Sequence, residues 1–198
     1  MVLCKRFRVV KPEIRILGVD DGTFVPHSKG HALVVGVVFR GGYWLDGVLH
    51  TKIRVDGLDA TRKIAAMILG SPHCKQLRVI MLDGVTFAGF NVVDIRQLST
   101  KTKIPVIAIT RDKPDFLKIH EALNNLSDRE KRWKAIRGTG ELYVVRTRGR
   151  AGQIYMQVHG VCEEDARRIV QLTSTRSNVP EPLRVAHLVA SGISWQAT

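Results

Sequence analysis

Cysteine, long apolar runs and acidic side chains are what this chain has least of. Its three cysteines, Cys4, Cys74 and Cys162, are odd in number and far apart. That excludes a disulfide scaffold and a paired-Cys metal site, and predicts reduced thiols. The longest apolar run, Ala32 to Phe39, falls far short of the roughly 20 residues that a membrane-spanning helix needs. Met1 to Val10 is basic, with no apolar stretch of the kind a secretory leader carries. These absences predict a cytoplasmic protein with no membrane partner. Acidic residues number 18 against 31 Lys and Arg, so the formal net charge is +13. A surplus of that size speaks to partners rather than to fold, and nucleic acid is the partner it fits best.

What is present has globular composition: 44% of the 198 residues are hydrophobic and 25% charged, enough for one domain with a sizeable core. Ile14 to Asp20, His31 to Arg40 and Tyr43 to Val55 read as three strands on short connections, with Gly41-Gly42 as a hairpin signal, and so predict an antiparallel meander. Asp59 is placed to cap a helix over Ala60 to Leu69. The pattern then alternates: a buried strand at Leu77 to Leu82, a helix from about Asn91 to Thr100, a buried strand at Ile104 to Thr110 and a helix at Asp115 to Leu126. Such alternation implies parallel strands with crossover helices. Strands at Glu141 to Arg148 and Gln153 to His159, joined by a hairpin at RGRAG, and helices at Glu163 to Thr173 and Pro182 to Ser191 complete the chain. The expectation is a single α/β domain spanning residues 1–198, built on a mixed sheet flanked by helices.

Two aspartates end strands in this scheme. Asp20 closes the first strand and Asp83 the first parallel one. In a shared sheet both reach the edge where α/β folds place ligands. Converging carboxylates raise one another's pKa unless a cation lies between them. Mg²⁺, with Mn²⁺ as the alternative, takes oxygen ligands, keeps several waters, and can activate a water beside a phosphoryl group. Asp56 and Asp59 follow the third strand and offer a third ligand, although Asp59 is equally explained as a helix cap. Asp21 has the opposite parity to Asp20 and reads as a neighbour.

These blocks resemble the endonuclease V family, whose fold is ribonuclease H-like. RILGVDDGTF with HALVVGVVF resembles that family's first two strands, including the GVD catalytic aspartate. VIMLDGVTFAGFNVVDI with IPVIAIT resembles its Asp-Gly segment, the following helix and the Ile-Pro strand; IYMQVHGVCEEDARRIV with RSNVPEPLRVAHLVA resembles its closing strand and helices. The resemblance covers most of the chain and keeps block order and spacing. It implies a metal-dependent endonuclease acting on DNA near a modified base, in DNA repair. It carries the metal-ligand aspartates onto Asp20 and Asp83, and the middle carboxylate onto Asp56, with Asp59 as the alternative. A family lysine falls on Arg111, which keeps the charge but cannot exchange a proton. The aromatic-Pro-Ile-Pro wedge is replaced by VLHTKIRVDG and the His-Pro-Arg by FAGFN. The family's Gly-His becomes Gly160-Val161, leaving Glu164 or Asp165 as acidic substitutes. The chain is most similar to an archaeal branch also labelled endonuclease dU, which implies a deoxyuridine-containing substrate.

Among the other features, Phe87 and Gly84 are candidates to border an extruded base, whereas Phe90 is read as packing under the following helix. Lys113 and Arg111 would hold phosphate. Arg132 and Lys134, in the basic run Arg129 to Arg137, would track the DNA backbone by displacing counterions. His27 and His31 are separated by loop formers, His73 and Cys74 lack further ligands nearby, and His159 reads as structural. No phosphate-binding glycine motif is present. DNA is the expected partner, with RNA left open and no protein partner inferable. Two rival readings are a non-catalytic nucleic-acid-binding protein that retains this fold, and a hydrolase of a small phosphorylated metabolite.

Overall fold

A computed structural model describes residues 6–147 and 152–195. The expected meander is present: β1 (Arg15–Asp21), β2 (His31–Arg40) and β3 (Trp44–Arg54) pair antiparallel in sequence. Helix α1 (Ala60–Leu69) leads to a short 3₁₀ turn and then β4 (Val79–Asp83), which pairs parallel to β1. A small two-stranded ribbon, β5 (Thr86–Phe87) and β6 (Asn91–Val92), precedes α2 (Ile95–Thr102) and β7 (Val106–Thr110), parallel to β4. Helices α3 (Phe116–Leu123) and α4 (Arg129–Arg137) follow. The antiparallel pair β8 (Tyr143–Arg146) and β9 (Gln153–His159), then α5 (Glu163–Thr173) and α6 (Glu181–Ser194), finish the chain. The seven-stranded sheet has the order β3-β2-β1-β4-β7-β9-β8.

Side-chain parity explains the layers. Successive residues of a strand face opposite sides, so Leu17, Val19, Ile80, Leu82, Val106 and Ala108 form one core under α1 and α2. Ile16, Val79, Met81, Ile107 and Ile109 form the other with Ala166, Ile169, Val170 and Leu183 from α5 and α6. Asp20 continues the parity of Ile16, and Asp83 that of Met81. Both therefore emerge on the α6 side, while Asp21 emerges on the opposite side.

Helix α6 lies unusually close to β1. A methyl group at Gly18 would overlap the Pro182 carbonyl, and one at Gly22 would overlap the Ser194 hydroxyl. From Pro182 to His187 the helix rises about 7.5 Å, and from Gly18 to Asp20 the strand advances about 6.7 Å. His187 is thereby brought level with Asp20.

Some expectations are corrected. The helix expected from Asn91 starts only at Ile95, because Asp94 caps it by accepting from the Arg96 and Gln97 amides; Asn91 is instead in a strand. Asp59 does not cap α1. Its Oδ1 accepts from the Arg54 amide and from Asn91 Nδ2, and the Asn91 side-chain oxygen receives the first helical amide, Ala60. Most of the RGRAG hairpin lies outside the described residues.

Replacing Gly18 by alanine is expected to destabilise the protein by about 1–3 kcal/mol, the usual cost of overpacking, because the added methyl must push α6 off β1. The midpoint of denaturant unfolding checks this. A Gly30→Ala variant, in a loop where the added methyl meets no more than the Ser28 hydroxyl, should shift the midpoint far less.

Candidate active site

The C-terminal ends of β1 and β4 deliver Asp20 and Asp83 side by side, since the parallel register pairs Val19 with Leu82. They line one open cavity of about 500 Å³, together with Asp21, Thr23, Phe24, Arg111 and His187. Asp20 is 5% exposed. One of its oxygens accepts from the Asp21 amide at 2.8 Å, and the other is 2.8 Å from His187 Nδ1. Burial is the main force raising the Asp20 pKa to about 7, with repulsion from Asp83 and then Asp21 adding to it; the Asp21 amide and His187 oppose the rise. Asp21 and Asp83 are also raised, each chiefly by burial, while Arg111 and His187 pull Asp83 back. Three carboxylates at one sheet edge, Asp20 buried and Asp21 and Asp83 half-buried, form a site short of positive charge in a protein that carries +13 overall.

His187 was not identifiable from its own sequence context as a site residue. It sits in α6 beside the buried Ala186 and Ala190, with its side chain about half exposed (51%). A lone histidine bordering an apolar helix face was the available signal, but only the helix-strand contact at Gly18 gives it meaning. Asp21, set aside on parity, does point to the other face, where its Oδ2 accepts from the Ala88 amide at 2.8 Å. It still borders the cavity because it is the last residue of its strand.

Asp56 is not brought into this cavity. It adopts a left-handed backbone (φ 50°), and its Oδ1 accepts from the Phe90 amide at 2.9 Å, bracing the loop that follows β4. Asp59 is engaged as described above. Asp165 is buried elsewhere, at the start of α5, where it accepts from the Phe7 amide and the Cys162 thiol. Glu164 shares that first turn. His159 ends β9 opposite Val106, at the far end of the sheet. Among the described residues no group of three or more His, Cys, Asp or Glu side chains forms a ready-made metal cage.

The substrate-contact expectations divide. Arg111, Lys113 and Lys134 are exposed, and Arg111 lines the cavity. Arg132 is 2% exposed and donates to the carbonyls of Asp56, Gly57, Phe90 and Ser127. With its donors turned onto backbone, it braces the loop and does not track phosphates. Phe87 is fully buried in the core under α1 and α2 and borders no base. Phe90 packs against the Val92, Leu123 and Ile136 cluster.

Gly84 does line a second, narrower and partly enclosed cavity of about 80 Å³, with Ala108, Thr110, Pro114, Phe116 and Gln157 among its walls. The two cavities are contiguous in sequence at two points, Asp83-Gly84 and Thr110-Arg111. The wall is mostly apolar, but the buried Thr110 hydroxyl has no hydrogen-bond partner among the described residues. Gln157 is held with its amide nitrogen on Thr139 Oγ1 and the Gly140 carbonyl. The Thr139 hydroxyl itself donates to the Ile136 carbonyl, so it can only accept from Gln157. That fixes the amide orientation and leaves Oε1 as the acceptor.

Comparison with known proteins supplies the context. A family model described as endonuclease dU matches residues 12–194. A UPF0215 protein of Methanothermobacter thermautotrophicus is 52% identical over 189 residues, covering 95% of this chain and 91% of its own length. The crystal structure of a protein of unknown function from Archaeoglobus fulgidus superposes with a TM-score of 0.81 at 41% identity, covering 90% of this chain and 97% of that one. Ciona intestinalis endonuclease V, in complex with a DNA containing an inosine, superposes with a TM-score of 0.57 at 15% identity, covering 87% of this chain and 82% of that one. That likeness shows the ribonuclease H-like fold.

The raised carboxylates set a pH dependence. A folded pKa above the unfolded value of 3.8 means the native state holds an extra proton at Asp20, so the contribution of this group to stability is fully present below about pH 4 and is lost as pH rises toward 7. In metal-free buffer, Asp20→Asn should flatten that decline and melt higher than wild type at pH 8, with little difference at pH 4. Parallel melting curves for the two proteins across this range would contradict the burial of charge at Asp20.

Proposed function

The chain belongs to the endonuclease dU family, and from that premise we propose that it is a divalent-metal-dependent endonuclease that cuts DNA beside a deaminated pyrimidine, deoxyuridine foremost. The observation that carries this reading is the pairing of Asp20 and Asp83 at adjacent parallel strand ends, with His187 and Arg111 in the same open cavity. The donor set fits a hard dication. Asp20 and Asp83 face one another with their pKa values raised, a conflict that bound positive charge relieves. With few protein ligands, waters and a phosphate oxygen would complete the shell, as is usual for Mg²⁺. When bound there, the cation would supply charge neutralisation and Lewis acidity toward the phosphate.

The chain's own residues have separable roles in this scheme. Asp20 and Asp83 hold the cation. His187, donating from Nδ1 to Asp20, keeps a lone pair on Nε2 and can take a proton at that atom. Arg111 stays charged and holds the phosphate. The narrower cavity would take the extruded base. Its size favours the smaller ring: an apolar cavity of about 150 Å³ accommodates benzene, so at about 80 Å³ the walls must widen to admit a pyrimidine and would have to widen further for a purine. Gln157 Oε1 is an acceptor, which suits the N3–H of uracil and opposes the bare N3 of cytosine.

Oligonucleotides carrying one deoxyuridine test the proposal directly. Wild type with Mg²⁺ or Mn²⁺ should cut them, and Asp83→Asn should bind but cut at least 100-fold more slowly. Either cation should also raise the melting temperature of wild type and not of Asp83→Asn, a readout that needs no turnover. Gln157→Leu should lower kcat/KM on deoxyuridine by about 10- to 100-fold, a loss of one buried hydrogen bond, while binding to unmodified DNA is unchanged. Salt-sensitive DNA binding with no cutting under any divalent ion would leave only the fold-retaining binding protein.

A further inference from the structure

A third cavity, of about 410 Å³, abuts the catalytic one and shares Thr23 and Phe24 with it. Its remaining walls include Val25, His31 and Trp195. Trp195 is 72% exposed, an unusual position for the largest apolar side chain, yet its backbone is held. It ends α6, and its amide donates to the Ser191 carbonyl at 2.9 Å. The opposite wall is fixed to the same helix end. Thr23 donates from its amide to Ser194 Oγ at 2.7 Å and from its hydroxyl to the Ser194 carbonyl at 2.9 Å. Gly22 allows this approach, since any side chain there would overlap Ser194. The groove is thus a built feature, tied to the contact that sets His187 on Asp20.

The surroundings are basic. Lys29 lies exposed between the lining residues Ser28 and Gly30. His31 pairs in register with Arg54, and its neighbour Leu33 with Lys52; both cations are exposed at the same end of the sheet. Along the strand ends the order is therefore cations on β3, the aromatic groove beside β2, the carboxylates on β1 and β4, and Arg111 after β7. Strand spacing puts the groove about 10 Å from Asp83, roughly three phosphates along a stacked strand.

We propose that Trp195 and Phe24 form a stacking platform for an unpaired base of the DNA strand as it leaves the catalytic cavity on the β2 side, with Lys29, Lys52 and Arg54 following its phosphates. Aromatic stacking accepts any base, because every base has a π face. The site therefore selects for single-strandedness beside the cleavage point and not for sequence. The direction of the strand rests on the nuclease reading of the carboxylate cavity; the platform itself does not.

Binding of a short oligothymidylate without any modified base, in EDTA, tests the platform apart from cleavage. Tryptophan fluorescence should be quenched by the single strand and not by the same strand annealed to its complement. Trp195→Ala should weaken binding by roughly 5- to 100-fold, the range for loss of one stacked base, and keep most of that loss at high salt. Trp195→Phe should retain binding but lose most of the quenching. Trp44→Ala, at an exposed tryptophan that begins β3 at the far end of the sheet, should bind as wild type does. Equal affinity of Trp195→Ala and wild type, or equal quenching by duplex, would overturn the platform. A wild type that binds and is quenched yet cuts nothing removes the nuclease reading and leaves the platform standing; one that cuts while Trp195→Ala binds normally removes the platform alone.

Discussion

The close approach of α6 to β1 is the contact on which the candidate site depends. Without side chains at Gly18 and Gly22, the helix settles against the strand near both its ends. Every residue between is then held in fixed register over the strand's C-terminal half. His187 meets Asp20 in that register, and Ser194 meets Thr23. Asp20 is buried because the helix covers it, and that burial is the largest cause of its raised pKa. The same contact therefore creates the electrostatic tension and supplies the imidazole that partly relieves it.

A second set of interactions shapes the loop after β4. Asp21 accepts from the Ala88 amide, Asp56 from the Phe90 amide, and Arg132 donates to the Phe90 carbonyl. The loop is thus tied to the ends of β1 and β3 and to α4 within three residues of its length. Phe87, fully buried, anchors it from below. Gly84 at the start of this loop then has a defined position in the wall of the narrower cavity. Charged residues that look like ligands or phosphate binders in the sequence are here loop braces, because a carboxylate or guanidinium near an irregular backbone satisfies amides and carbonyls that no sheet partner reaches.

The meander, the alternating parallel strands and the strand-end positions of Asp20 and Asp83 were legible because period-two burial and turn residues are local signals. Their shared face needed the register of β1 on β4 as well as parity. Four features were not local. His187 needed the distance between α6 and β1, which depends on Gly18 in a strand that reads as uniformly apolar. Asp56 and Arg132 needed knowledge of which backbone groups lacked partners. Gln157 reads as a polar residue in a strand, and only its bonds to Thr139 and Gly140 orient its amide. The Asp94 cap was present in the sequence, three residues after the expected helix start at Asn91, and its two bonds to the Arg96 and Gln97 amides move that start to Ile95.

The charge balance has a spatial logic that the net figure conceals. A polyanion is drawn toward a surface carrying +13, but a phosphate cannot settle on three carboxylates without intervening positive charge. The cations at the two flanks, Arg111 and Lys113 beyond β7 and Lys52 and Arg54 on β3, are separated by the acidic strand ends of β1 and β4. A strand held at both flanks would be suspended over a gap of like charge, and that gap is where a divalent cation would gain most from binding. Under the proposed function, cation and polynucleotide would thereby favour each other: a phosphate would complete the cation's shell, and the cation would remove the repulsion under the phosphate. Either alone should bind more weakly than in the other's presence, a coupling that must be reciprocal.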